Sequence, residues 1–262
     1  MEEISFDEGL GVVYERLALG RLLKNIADKY RARKILELDA SIIGNLPAFN
    51  SFMLALWGYD ITLAVREEWY DLAKKYWKNV KAPGNVNVIK CEDPVNSSLE
   101  SEGYDLVWNH LVFQSYDNGK PLLEEMKRLA KKAVMVCTYN PWNIGYLMHM
   151  AEHRITGRVW DHGKFRNNLI SKIKSDFESV GIKVVDSGGV DTPPWLDTID
   201  TVVGGKRSYM KDTLSSGWRW EITDERCRQH KFLNMLLEWE FGFPKWFTSI
   251  VTHHPYVVGV KK

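Results

Sequence analysis

Between residues 34 and 138, short apolar runs alternate with amphipathic stretches, and this rhythm constrains the fold more than any other feature of the chain. Lys34–Leu38 (KILEL), Asp60–Val65 (DITLAV), Val86–Lys90, Tyr104–Trp108 and Ala133–Thr138 read as short buried strands. Leu46–Trp57, Glu67–Asn79 and Lys120–Lys131 carry helical periodicity, and the second has acids in its first turn and lysines near its end, as the helix dipole prefers. Strands alternating with helices build βαβ units and hence a parallel sheet, which binds ligands at the carboxyl ends of its strands. The loops after Leu38, Val65, Lys90 and Trp108 are therefore the first place to look for a site.

The flanking regions follow a different pattern. Residues 12–30 predict an opening helix. After Thr138 comes a block rich in aromatics, His and Asn (139–168), then a helix over Leu169–Val180 and a strand over Ile182–Asp186. Residues 203–225 are polar and bear Trp218 and Trp220 around Arg219, which suits a subunit contact better than nucleic-acid stacking. Arg226–Phe241 predicts a helix and Pro255–Val260 a closing strand.

Several function classes lose support here. The formal net charge of +1 supplies no bulk attraction to nucleic acid. No apolar run approaches the roughly 18 residues needed to span a bilayer, and the acidic start MEEISFDEGLG lacks a signal region, so a cytoplasmic protein is expected. Cys91, Cys137 and Cys227 are too scattered for a disulfide framework or a zinc knuckle. Walker A, nucleophile-elbow, CxxC and GxGxxG motifs do not occur.

The segments ILELDASIIGNLPAF, GYDITLAVREEWYDLAKKYW, VIKCEDPV, GYDLVWNHLVF and the helix–strand pair ending in AVMVCT carry a resemblance. In order and spacing they resemble the class I S-adenosylmethionine (SAM) dependent methyltransferases, over about two-thirds of the chain. The resemblance implies a Rossmann-like, doubly wound, mostly parallel seven-stranded α/β sheet with helices on both faces and a lid insertion after strand 5. It implies one domain over 1–262, with 139–181 and 203–245 as insertions forming a lid or an interface. SAM is the implied cofactor, and Glu37, Asp39, Ser41, Gly44, Glu67, Asp93 and Asn109 are the residues that would line its cleft. Glu37 matches the family's first-strand acid and Asp93 its adenine-binding acid.

The departures from the family are specific. Asp39, Ser41 and Ile43 stand where three glycines are expected, leaving Gly44 alone in the loop, and Ala64 or Val65 stands where the ribose-binding acid belongs. Glycine lets a backbone approach its ligand closely, so bulkier residues obstruct that approach. Two functions follow from this conflict. The chain is either a SAM-dependent methyltransferase of an unidentified small or medium acceptor, or an inactive methyltransferase-like subunit that scaffolds or activates a catalytic paralogue as a homo- or hetero-oligomer.

The block YNPWNIGYLMHMAEHRITGRVWDHG follows the fifth strand, where methyltransferases of this type place substrate-binding elements, and resembles a segment of archaeal methyltransferase-like proteins. His110, His149 and His162 are candidate general bases toward an acceptor, and Asn143, His153 and Trp160 candidate substrate contacts. The same residues can equally brace a lid. His149–His153 also matches the H-x-x-E-H pattern of zinc peptidases, with His162 as the one conceivable third ligand; the pattern is short, and no metal is expected. His253 and His254 read as structural.

Overall fold

A computed structural model describes residues 10–40, 42–43, 46–78, 80, 82–160, 162–192 and 231–261. The expectations for Ser41, Gly44, residues 203–230 and their tryptophans fall outside these residues.

The main sheet has seven strands: β1 (Lys34–Leu38), β4 (Asp60–Val65), β5 (Val86–Lys90), β6 (Tyr104–His110), β7 (Ala130–Cys137), β8 (Ile182–Val190) and β9 (His254–Lys261). Their spatial order is β5-β4-β1-β6-β7-β9-β8, and β9 alone runs antiparallel to its neighbours. The chain winds outward from β1 through β4 to β5, then returns to the other side of β1 with β6. The strand order thus reverses between β1 and β6, which is where an open α/β sheet forms its ligand crevice.

Alternation along the buried strands decides which helix layer each side chain meets. Ile35, Leu106, Trp108 and Met135 join one core with Leu19, Leu23, Phe52, Ala73, Trp77 and Leu233. These come from α1 (Leu10–Lys29), α2 (Phe52–Leu56), α3 (Glu67–Trp77) and α7 (Lys231–Gly242). Leu36, Leu38, Val107, Val134, Val136 and Val257 face the other core, with Leu122, Met126, Ile173 and Phe177. Those helical residues belong to α4 (Lys120–Leu129) and α6 (Ile170–Ser179).

Two expectations change. Leu46–Trp57 is not one helix: β2 (Ile42–Ile43) and β3 (Leu46–Pro47) form a small antiparallel pair, and only Phe52–Leu56 is helical. Residues 48–56 are buried without a break, with Phe49 and Phe52 stacked 4.4 Å apart and against Trp77, so their apolar spacing mimics a helix. Within 139–181, α6 packs on β8 as a layer of the sheet. The part that stands over the strand ends is α5 (Ile144–Thr156) with the turn behind it. A further helix, α8 (Lys245–Val251), leads into β9. No helix among the described residues is long and apolar enough to cross a membrane.

Candidate functional site

The carboxyl ends of the strands fall into two halves on either side of the switch point. On the half formed by β1 and β4, the loop turns at Asp39, whose φ of 55° is the left-handed geometry that glycine usually supplies and that aspartate tolerates. Its carboxylate is buried and fully engaged. Arg66, the first residue after β4, donates from Nε to Oδ1 at 2.7 Å and from an Nη to Oδ2 at 2.8 Å, while the Tyr116 hydroxyl donates to Oδ2 at 2.9 Å. This bidentate pair holds the Arg66 guanidinium above its usual range, first through its hydrogen bonds to Asp39. Burial, reinforced by the Asp39 charge, raises the Tyr116 phenol.

The crevice at the switch point is stitched as well. Asn109, fully buried, donates to the Leu38 carbonyl at 2.8 Å and accepts from the Phe113 amide at 3.0 Å. Both ends of its side-chain amide are therefore engaged in holding β1 to the turn after β6. Glu37 points by strand alternation into the helix layer, where it accepts from Asn50 at 3.0 Å and Ser51 at 2.6 Å. Burial raises its pKa against those bonds. Glu67 lies on the exposed side of α3 in an ion pair with Lys90. Asp93 is exposed and caps its own turn by accepting from the Val95 amide at 3.1 Å.

The other half, at the ends of β6, β7 and β9, is crowded with histidine. His110 ends β6, is buried, and faces Glu15 of α1 at 3.9 Å and the His254 ring at 5.0 Å between centroids. His254 lies 3.4 Å from Glu15 and 3.8 Å from Asp191, and Asp191 meets His253 Nδ1 at 2.8 Å. Burial, with His254 adding to it, pushes His110 down to about 3. Burial alone would raise Glu15, but His254 and then His110 hold it well below the usual carboxylate range. Glu240 of α7 closes this network by accepting from the Asp191 and Thr192 amides and the Tyr14 hydroxyl, and burial raises it to about 7.

Tyr139, just beyond β7, touches both His254 and His162, with centroids 6.1 and 5.1 Å away. Beyond it lies a second cluster. Asn143 caps α5, accepting from the Gly145 amide at 2.7 Å while donating to the Val251 carbonyl at 2.7 Å, so it anchors the helix to α8. His149 and His153 lie one turn apart on α5, with ring centroids 4.6 Å apart. Trp160 packs on His162 at 4.8 Å and His153 at 5.3 Å, its indole donating to the Gly163 carbonyl at 2.7 Å. Gly163, at φ 70°, lets this turn lie flat on Gln114, because a Cβ would meet the Gln114 carbonyl oxygen at 2.4 Å.

The structure thus gathers His149, His153, Trp160 and His162 into one side-chain cluster, linked through Tyr139 and His254 to His110. It leaves Glu37 and Asn109 buried and bonded within the protein, and Glu67 exposed in its ion pair with Lys90. Sequence reasoning missed Glu15, Arg66, Tyr116, Asp191 and Glu240. Arg66 carried a signal: a basic residue next to the position where the family places its ribose acid.

Comparison with known proteins reaches the fold. No family model matches the sequence, and no curated protein matches it. Among solved structures, a SAM-dependent methyltransferase of Thermotoga maritima superposes with a TM-score of 0.53 at 12% identity, over 96% of this chain and 92% of that one. Magnesium protoporphyrin IX methyltransferase of Synechocystis, solved with S-adenosylhomocysteine (SAH), gives 0.50 at 12% identity over 95% and 86%. A [4+2]-cyclase gives 0.54 at 10% identity over 92% and 80%. The chain has the class I methyltransferase fold, and its structural neighbours include SAM-dependent methyltransferases.

Among the described residues, the end of β4 lacks the acid that the resemblance implies for the ribose. Ala64 is fully buried and carries no acceptor for a ribose. The Asp39 carboxylate, on the loop after β1, already accepts three hydrogen bonds.

Proposed function

We propose that this chain keeps the methyltransferase framework without taking SAM in the family's pose, and that it works from the histidine pocket beneath α5 on a small ligand. The observation that carries this reading is the Asp39–Arg66–Tyr116 lock. A ribose can offer Asp39 only neutral hydroxyl donors, whereas Arg66 supplies a bidentate, charge-assisted pair to a buried carboxylate. Exchanging one for the other leaves a guanidinium without its partner and returns weaker bonds. The presence of a [4+2]-cyclase among the fold neighbours supports the principle that this scaffold hosts chemistry under other names. Calorimetric titration of the folded protein with SAM and with SAH tests the reading. No heat up to millimolar ligand is expected, and saturable micromolar binding overturns it.

A second reading is a SAM-dependent methyltransferase acting on a small acceptor faced by His110, His149 or His162. It is supported by the methyltransferase neighbours and by the exposed Asp93 carboxylate on the loop after β5. Methyl transfer to any acceptor by the purified chain would establish it.

A further inference from the structure

The pocket beneath α5 has the chemistry of a metal site. His149 and His153 share one face of the helix by their i, i+4 spacing, and the turn ending at Gly163 folds His162 back onto them. One ligand atom from each of the three lies within 4.8 Å of the others. His149 Nε2 is 2.7 Å from His162 Nε2.

The surroundings orient two of the three rings. His153 Nδ1 lies 2.9 Å from the Val159 carbonyl, which can only accept, so Nδ1 holds the proton and Nε2 keeps its lone pair. His149 Nδ1 faces the Glu152 carboxylate at 3.4 Å, so that its Nε2 is the nitrogen turned toward His162. A carbonyl or carboxylate behind two of the three imidazoles matches the outer-shell arrangement that orients histidines toward a metal.

We propose that His149, His153 and His162 bind a divalent transition-metal ion of the zinc type. Three imidazoles select zinc or its late first-row neighbours over magnesium and calcium, which prefer oxygen ligands. Three protein ligands leave a fourth position for water or a substrate atom, the pattern of catalytic rather than structural zinc. Zinc–nitrogen bonds of about 2.0–2.1 Å in tetrahedral geometry set the nitrogens about 3.3 Å apart, so His149 and His162 must separate by about 0.6 Å. The site is not that of an H-x-x-E-H peptidase. Its Glu152 is bound to Arg158 as well as facing His149, and so braces the ligands instead of standing over them as a base. The inference rests on the reading that this pocket is the working site, but its test does not involve SAM.

Metal-stripped full-length protein is titrated with Co2+ and then with Zn2+ as competitor. One equivalent of Co2+ is expected to bind with the intense visible bands of four-coordinate cobalt, to be displaced by Zn2+, and to raise Tm. His153→Ala and His162→Ala are each expected to weaken Zn2+ binding more than about 100-fold, beyond the roughly 10–100-fold that loss of an outer-shell partner costs. Glu152→Gln is expected to weaken it about 10-fold, and His254→Ala to leave it unchanged. Circular dichroism without metal verifies that each variant folds, and His162→Gln replaces His162→Ala if that variant does not. Folded wild-type protein that takes up no ion overturns the proposal. So does binding that survives loss of His153 and His162, or that disappears in His254→Ala, which would place the ion at Glu15, His110 and His254, another group whose ligand atoms lie within 4.8 Å. Micromolar SAM binding alone would sink the previous section's reading and leave the metal result standing.

Discussion

The two halves of the strand-end surface use their charges in opposite ways. On the β1–β4 half, every oxygen of Asp39 and both ends of the Asn109 amide are engaged with the protein itself. On the β6–β9 half, both nitrogens of His110, Nδ1 of His254 and Oδ1 of Asp191 are buried with no hydrogen-bond partner in the protein, among the described residues. Buried polar atoms are nearly always satisfied, so unsatisfied ones concentrated in one place mark where a protein reserves its polar capacity. A fold is therefore a poor guide to which of its loops still does chemistry. The half that carries the glycine-loop and ribose-acid positions is self-contained here, and the unpartnered buried polar atoms named above lie on the other half.

The largest effect should come from the turn that assembles the histidine pocket. Gly163→Ala drives a Cβ into the Gln114 backbone at a left-handed position and is expected to cost about 3 kcal/mol and to loosen His162. Denaturant unfolding reads this directly, and a loss under about 1 kcal/mol would mean that the turn is not rigid and the pocket not preformed.

Next is the lock. Arg66→Met strands a buried carboxylate and is expected to destabilise the fold by about 2–3 kcal/mol, while Asp39→Asn combined with Arg66→Met costs less than the two singles summed. Additive losses in this double-mutant cycle would show that the two halves do not differ as described.

The acid limb of stability separates the halves further. His110 titrates at about 3 in the fold against 6.5 unfolded, so the unfolded chain takes up its proton first as pH falls. Stability is present above pH 6.5 and drains away as pH drops toward 3. His110→Asn should flatten this limb in pH-dependent thermal melts, and an unchanged slope would remove His110 from the account. Smallest is Asn143→Ala, which loses the cap of α5 and the bond to Val251 for about 1–2 kcal/mol by the same melts.

Much of the sheet was legible because its central parallel strands are buried apolar runs and its half-exposed edge strand β5 alternates apolar with polar residues. KILEL, DITLAV and Val86–Lys90 begin and end in the structure where the sequence places them. Leu46–Trp57 was not, because burial on all sides erases the polar face that tells a helix from packed coil. In the site, the odd residues of the glycine loop were legible as oddities, and His149, His153 and His162 as neighbours on a helix and its following turn. The partnership of Asp39 with Arg66, and of His110 with Glu15 and His254, depends on which strands lie side by side. No local pattern encodes that adjacency.

The Asp39–Arg66 pair also bears on how such a chain can change over time. Placing glycine at 39 leaves the arginine without its counter-charge. Removing the arginine first leaves a buried aspartate with only Tyr116. Either single step toward an open loop crosses a stability deficit of a size that a marginally stable domain tolerates poorly. The two residues are thus energetically coupled: an open loop at position 39 is reached without that deficit only by changing both together.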